Sequence, residues 1–225
     1  MRKRLILRPV AGLAVAFAAV CPAYADDTQA WGTLGVQAGL SGPLVASAEV
    51  TFRTSDARGF YEIEQSLLLG YKIDRHVTAW AGYVHTPSYS HGDFTGMEHR
   101  FRQQVTFDNV ARIGPFRAGG RLRLEQRWRE GASGTGWRLR PQVKLSWPFA
   151  GKAALNLSHE SFINLGKTAF QKVDGHERMR NAISVSTPLT RQVKIEVGYL
   201  EQHGFVRNAP DTDDHVATVG LSASF

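Results

Sequence analysis

Residues 97–107 read Met97-Glu98-His99-Arg100-Phe101-Arg102-Gln103-Gln104-Val105-Thr106-Phe107. Met97, His99, Phe101, Gln103, Val105 and Phe107 fall on one phase, and Glu98, Arg100, Arg102, Gln104 and Thr106 on the other. A repeat of two is the signature of a β-strand, whose successive side chains point to opposite faces. The pattern recurs on both sides of this segment. Phe116, Ala118, Leu122, Leu124 and Trp128 oppose Arg117, Arg121, Arg123, Glu125, Arg127 and Arg129. Trp137, Leu139, Val143, Leu145 and Trp147 oppose Arg138, Arg140, Gln142, Lys144 and Ser146. Met179, Ile183 and Val185 oppose Arg178, Arg180 and Ser184, and the chain ends on Ala217, Val219, Leu221, Ala223 and Phe225. From Trp31 onward no stretch keeps a helical period.

Alternation alone also fits a soluble sandwich or a lipocalin, with the apolar face turned inward. The segments are long, about ten residues or more, as a tilted strand crossing a bilayer requires. Aromatic residues stand near their ends (Trp31, Tyr71, Trp80, Phe107, Phe116, Trp128, Trp137, Trp147, Phe149, Tyr199), as interfacial girdles do. The expected fold is all-β: an antiparallel transmembrane β-barrel of about 10–12 strands. The segments are 31–39, 44–53, 60–72, 76–86, 97–108, 116–129, 137–147, 152–163, 177–187, 191–202 and 214–225. Short turns near Leu40–Pro43, Asp74–His76, Ile113–Pro115, Pro148–Lys152 and Pro188–Arg191 alternate with longer loops near 54–59, 87–96, 130–136, 164–176 and 203–213. Eleven strands conflict with the even count usual in bacterial barrels. Segment 31–39 is the misfit: it either runs within the lumen, or one turn is misread.

The N-terminus points to export. Arg2, Lys3, Arg4 and Arg8 precede an apolar run to Val20, and Ala23-Tyr24-Ala25 offers a cleavage site. Residues 1–25 are therefore expected to be a signal peptide and residues 26–225 the barrel. Val20 argues against a lipoprotein signal at Cys21. Of 27 Lys+Arg and 20 Asp+Glu, four basic residues leave with the signal, so the mature chain carries a net charge of only +3. That small excess gives no reason to expect nucleic-acid binding. The single Cys leaves too, so no disulfide staples the mature domain. The outer membrane of a Gram-negative bacterium is the expected location. Membrane lipid, lipopolysaccharide and the barrel-assembly machinery are the expected partners, with Phe225 as the assembly signal. Oligomeric state is left open.

Several short motifs lie in a recognisable order: Glu49–Arg53, Leu69-Gly70-Tyr71, Gly82-Tyr83, Glu98–Gln104, Arg121–Arg127, Glu160-Ser161-Phe162-Ile163-Asn164, Arg178–Asn181 and Gly198-Tyr199-Leu200. In this order the chain resembles the uncharacterised outer-membrane family known as domain of unknown function 2490, over nearly all of the mature chain. The resemblance implies fold and location, and no activity.

The inward phases carry fourteen cations and seven anions. The candidate lumen network is Glu98, Arg100, Arg102, Arg121, Arg123, Glu125, Arg127, Arg138, Arg140, Glu160, Arg178 and Arg180. Interlocked ion pairs filling the barrel are the first reading, since unpaired charges are costly in a dry lumen. A narrow wet pore favouring anions is the second. An interior so charged is poorly suited to an apolar ligand. An enzymatic alternative rests on His159 and Ser161, two apart and therefore on one outward face, the arrangement that outer-membrane lipid A deacylases use with an acidic orienter. Glu177 is the acidic candidate on a neighbouring outward phase, and no oxyanion donor can be named. A surface-binding module working through the long loops is a further alternative. No catalytic residue, metal site or cofactor is assigned: paired cysteines and a His-Glu-x-x-His motif are absent, Gly131–Gly136 follows an Arg-rich strand as a surface loop, and His85, His91 and His99 are scattered.

Overall fold

A computed structural model describes residues 27–207 and 209–225. The expected signal peptide, residues 1–25, lies outside the described residues. Eleven strands follow one another: β1 (Asp27–Gly39), β2 (Leu44–Ser55), β3 (Gly59–Lys72), β4 (Val77–Ser90), β5 (Asp93–Ile113), β6 (Phe116–Arg129), β7 (Gly136–Phe149), β8 (Ala153–Asn164), β9 (Gly175–Pro188), β10 (Val193–Gly204) and β11 (Thr212–Ser224). Each pairs antiparallel with its chain neighbours, and β1 meets β11 to close a barrel.

The closure settles the parity conflict in a way the sequence reading did not anticipate. An odd number of alternating strands leaves the first and last running the same way, so the seam between them must be parallel. Asp27 to Gln37 of β1 lie beside Asp214 to Ser224 of β11 in parallel register. The other edge of β1 pairs antiparallel with β2, from Gln29 opposite Ser55 to Gly39 opposite Val45. The segment read as 31–39 is thus a full wall strand. It does not cross the lumen, and the count of eleven needs no turn added or removed. At the seam's lower end the Gly39 N–H donates to the Phe225 carbonyl at 2.9 Å and the Phe225 N–H to the Gln37 carbonyl at 3.0 Å. The terminal residue thereby belongs to the closed ladder.

Polarity is reversed relative to a soluble barrel. Outward residues include Leu67, 64% exposed, and Val143, 58%, with Leu34, Leu69, Leu122 and Ile183 similarly bare. Inward positions hold buried Arg, Glu, Gln and Asn. Two aromatics assigned to a girdle face the lumen instead. Trp31 donates from Nε1 to Gln29 and Tyr61, and Trp80 packs with Val45 and Leu68. The segment containing Trp80 has apolar residues on both phases, so alternation could not assign it. Gly70 makes the room, since a Cβ there would lie 2.5 Å from the Trp80 ring.

The loop expected over 87–96 is a hairpin. β4 and β5 continue to a two-residue turn, His91-Gly92, where both residues have positive φ, 52° and 93°. That conformation matches the strand twist of a tight hairpin. The longest connection, residues 165–174, folds back over the barrel mouth, where Gln171 donates to the carbonyls of Trp137 and Gly166 at 3.1 and 2.8 Å.

Candidate functional site

The lumen charges form one connected layer. Glu125, on β6, is fully buried and accepts from Arg102, Arg138 and Arg140 at 3.0, 2.8 and 3.1 Å. Glu160 joins Arg121 and Arg140 at 2.6 and 3.0 Å. Glu98 holds Arg100, Arg127 and Arg129 at 2.6, 2.9 and 3.4 Å. Glu64, on β3, links Arg100 and Arg102 at 3.0 and 2.8 Å and reaches Arg53, which also bonds Glu62. Guanidinium forks suit such bridging, because their several donors let one cation join two carboxylates.

Three of the expected network residues meet no carboxylate within ion-pair distance among the described residues. Arg123 donates instead to Gln104 at 2.8 Å. Arg178 and Arg180 share the Gln202 side-chain oxygen at 3.2 and 2.9 Å. The excess cations are further accommodated by aromatic faces. Arg140, Arg180 and Arg138 lie 4.2, 4.6 and 5.3 Å from the Phe162 ring. Trp31 is flanked by Arg53 and Arg180 at 4.4 and 4.6 Å. Cation–π attraction strengthens where water is excluded, so these rings partly replace missing anions. Gln104, Gln202 and Phe162 were not expected as site residues. Their inward phase was the available signal, but a residue without charge does not stand out in a charge inventory.

Two cavities flank the layer. The upper, about 470 Å³, opens among the long connections and is lined by nine arginines and five carboxylates. The lower, about 400 Å³, opens among the short turns beside Lys72, Asp74, Arg75 and Asp108. They share no lining residue. Arg102, Arg121, Arg123 and Glu125 lie between them, with Arg102 only 1% and Glu125 0% exposed.

The outward surface holds a second arrangement. His159 Nε2 is 3.1 Å from Ser161 Oγ, and Nδ1 is 2.8 Å from the Asn181 side-chain oxygen. His159 and Asn181 are direct partners across β8 and β9. Asn181 donates in turn to Glu201, on β10, at 3.4 Å. Glu177, the acidic residue expected beside His159, turns inward. A bulge in the β8–β9 ladder leaves it without a partner, and its carboxylate lies 3.6 Å from Arg138. A residue inserted in this way shifts every later phase by one, which counting from the sequence could not reveal.

A protein of Methylorubrum extorquens (strain AM1), itself described as uncharacterized, is 26% identical over 190 residues, covering 81% of this chain and 82% of its own length. A family model described as "Protein of unknown function (DUF2490)" matches residues 28–213, and the chain belongs to that family.

Proposed function

We propose that the chain is an outer-membrane protein with a non-conducting barrel, whose upper cavity receives anionic groups of molecules at the cell surface. The barrel's inverted polarity supports the membrane setting: an apolar outer wall and a closed ladder are what a lipid bilayer requires. In that setting the short turns face the periplasm and the long connections the exterior. The observation that carries the functional reading is the buried ion-pair layer between two separate cavities, with a cation excess in the upper one. A continuous water path would favour an anion pore; a sealed layer leaves a cup. Arg178, which donates to Gln202, and Arg180, which donates to Gln202 and lies over the Trp31 and Phe162 rings, are the donors it offers.

Two measurements test the parts separately. Membrane-fraction protein should migrate faster on a gel unheated than boiled, and recovery as a soluble periplasmic monomer would contradict the membrane setting. Inorganic tripolyphosphate at low salt should raise the melting temperature of the refolded protein, an effect lost when Arg178 and Arg180 are both replaced by Gln. An equal response in that variant would contradict the cup.

A further inference from the structure

We propose that Ser161, His159 and Asn181 form a nucleophilic site on the barrel's outer wall that hydrolyses fatty-acyl esters of lipids in the adjoining leaflet. It rests on the proposed membrane setting for its substrate, although its chemistry is legible from geometry alone. Glu201 takes one amide hydrogen of Asn181, which turns the amide oxygen toward the ring. The ring's Nδ1–H donates to that oxygen, so Nε2 is left unprotonated and accepts from the Ser161 hydroxyl. That is the tautomer a general base needs, with an orienting group behind it.

Placement agrees with the chemistry. All four side chains lie on outward phases in the half of the barrel nearer the long connections, and the imidazole is exposed. On the same outer wall an apolar groove of about 620 Å³ runs along β10, β11 and β1, lined by Ala30, Phe52, Val197, Tyr199, Ala217 and Val219. Along β10 it lies below Glu201, toward the middle of the wall. One residue beyond Ser161 the bulge interrupts the ladder.

The reaction is a two-step acyl transfer. Ser161 Oγ attacks the ester carbonyl while His159 Nε2 takes the hydroxyl proton. The carbonyl–alkoxy bond breaks, and His159 returns the proton to the leaving alcohol. Water, deprotonated by His159, then cleaves the acyl-serine, releasing a fatty acid and restoring the hydroxyl.

The test uses the full barrel refolded in detergent, with folding confirmed by its unheated migration. A long-chain fluorophosphonate should label Ser161, located by peptide mass. Ser161→Ala should abolish the label, and Ser41→Ala, in an exposed turn, should retain it. His159→Ala should slow labelling roughly 10²–10⁴-fold, the usual contribution of a positioned base. Asn181→Ala should slow it as well. Asn181→Asp should restore the rate, because a carboxylate oxygen accepts from the ring's Nδ1–H as the amide oxygen does. Fatty acid released from phosphatidylethanolamine vesicles identifies a phospholipid substrate, and release from purified lipopolysaccharide alone identifies a lipid A ester. Absence of label on Ser161, or label without release from either lipid, overturns the proposal. Because labelling is read in micelles, it can fail or succeed independently of the membrane setting.

Discussion

At Glu125 one carboxylate serves three guanidinium groups with no exposed surface. Replacing it with Gln removes the anion and leaves three buried cations competing for a neutral oxygen. Breaking a buried pair typically costs roughly 3–5 kcal/mol, whereas a solvated pair is worth about 0–1. Glu125→Gln should therefore lower the melting temperature by roughly 6–20 °C, on the usual 2–4 °C per kcal/mol for a chain of this size. Glu196→Gln, whose 3.8 Å contact with Lys194 is solvent-exposed, should change it little. Equal shifts in the two variants would show that the lumen is wet. Legibility at this scale followed phase. Arg100, Arg102, Arg121, Arg138 and Arg140 were assignable because charge alternates cleanly with apolar residues along their strands. Asn181 also stands out as a polar residue between Met179 and Ile183 on a face otherwise apolar. What could not be seen was the register that sets Asn181 opposite His159 on the neighbouring strand and Glu201 opposite Asn181 on the next.

Among the elements, β1 distinguishes this barrel from an even-stranded one. Gly32 on β1 and Val219 on β11 are register partners on outward phases. Cysteines introduced at both should oxidise to a disulfide that joins the two ends of the chain, altering migration on a denaturing, non-reducing gel. No cross-link would form if β1 ran inside the lumen. Deleting Phe225 should impair membrane insertion far more than an Ala substitution in the 205–211 connection, because its backbone bonds both Gln37 and Gly39 at the seam. Gly82 is another sensitive point: a Cβ there would lie 2.1 Å from the Leu67 carbonyl, whereas one at Gly96 meets nothing. Gly82→Ala should reduce the folded yield, and Gly96→Ala should not. All eleven strands were legible because each is a long run of alternation. Closure was not, since nothing within a single strand records which edge it will meet. Nor was the β4–β5 hairpin: its polar, Gly-containing tip looks like a loop until positive φ at His91 and Gly92 makes it a two-residue turn.

For the whole molecule, closure of the sheet and the packing of charges inside it are separate features. The parallel seam closes the sheet, and buried ion-paired residues lie between cavities of about 470 and 400 Å³ that share no lining residue. Beside the lower cavity, Val45, Leu68 and Trp80 form an apolar cluster. A fourteen-to-seven excess of cations suggests an anion channel when counted along the sequence. In the barrel it is absorbed by shared carboxylates, glutamine oxygens and the faces of Trp31 and Phe162. Single-channel recording in a planar bilayer, on refolded protein verified by its unheated migration, tests this most directly. A silent membrane at every applied potential is the predicted result; reproducible unitary steps with anion selectivity would contradict it.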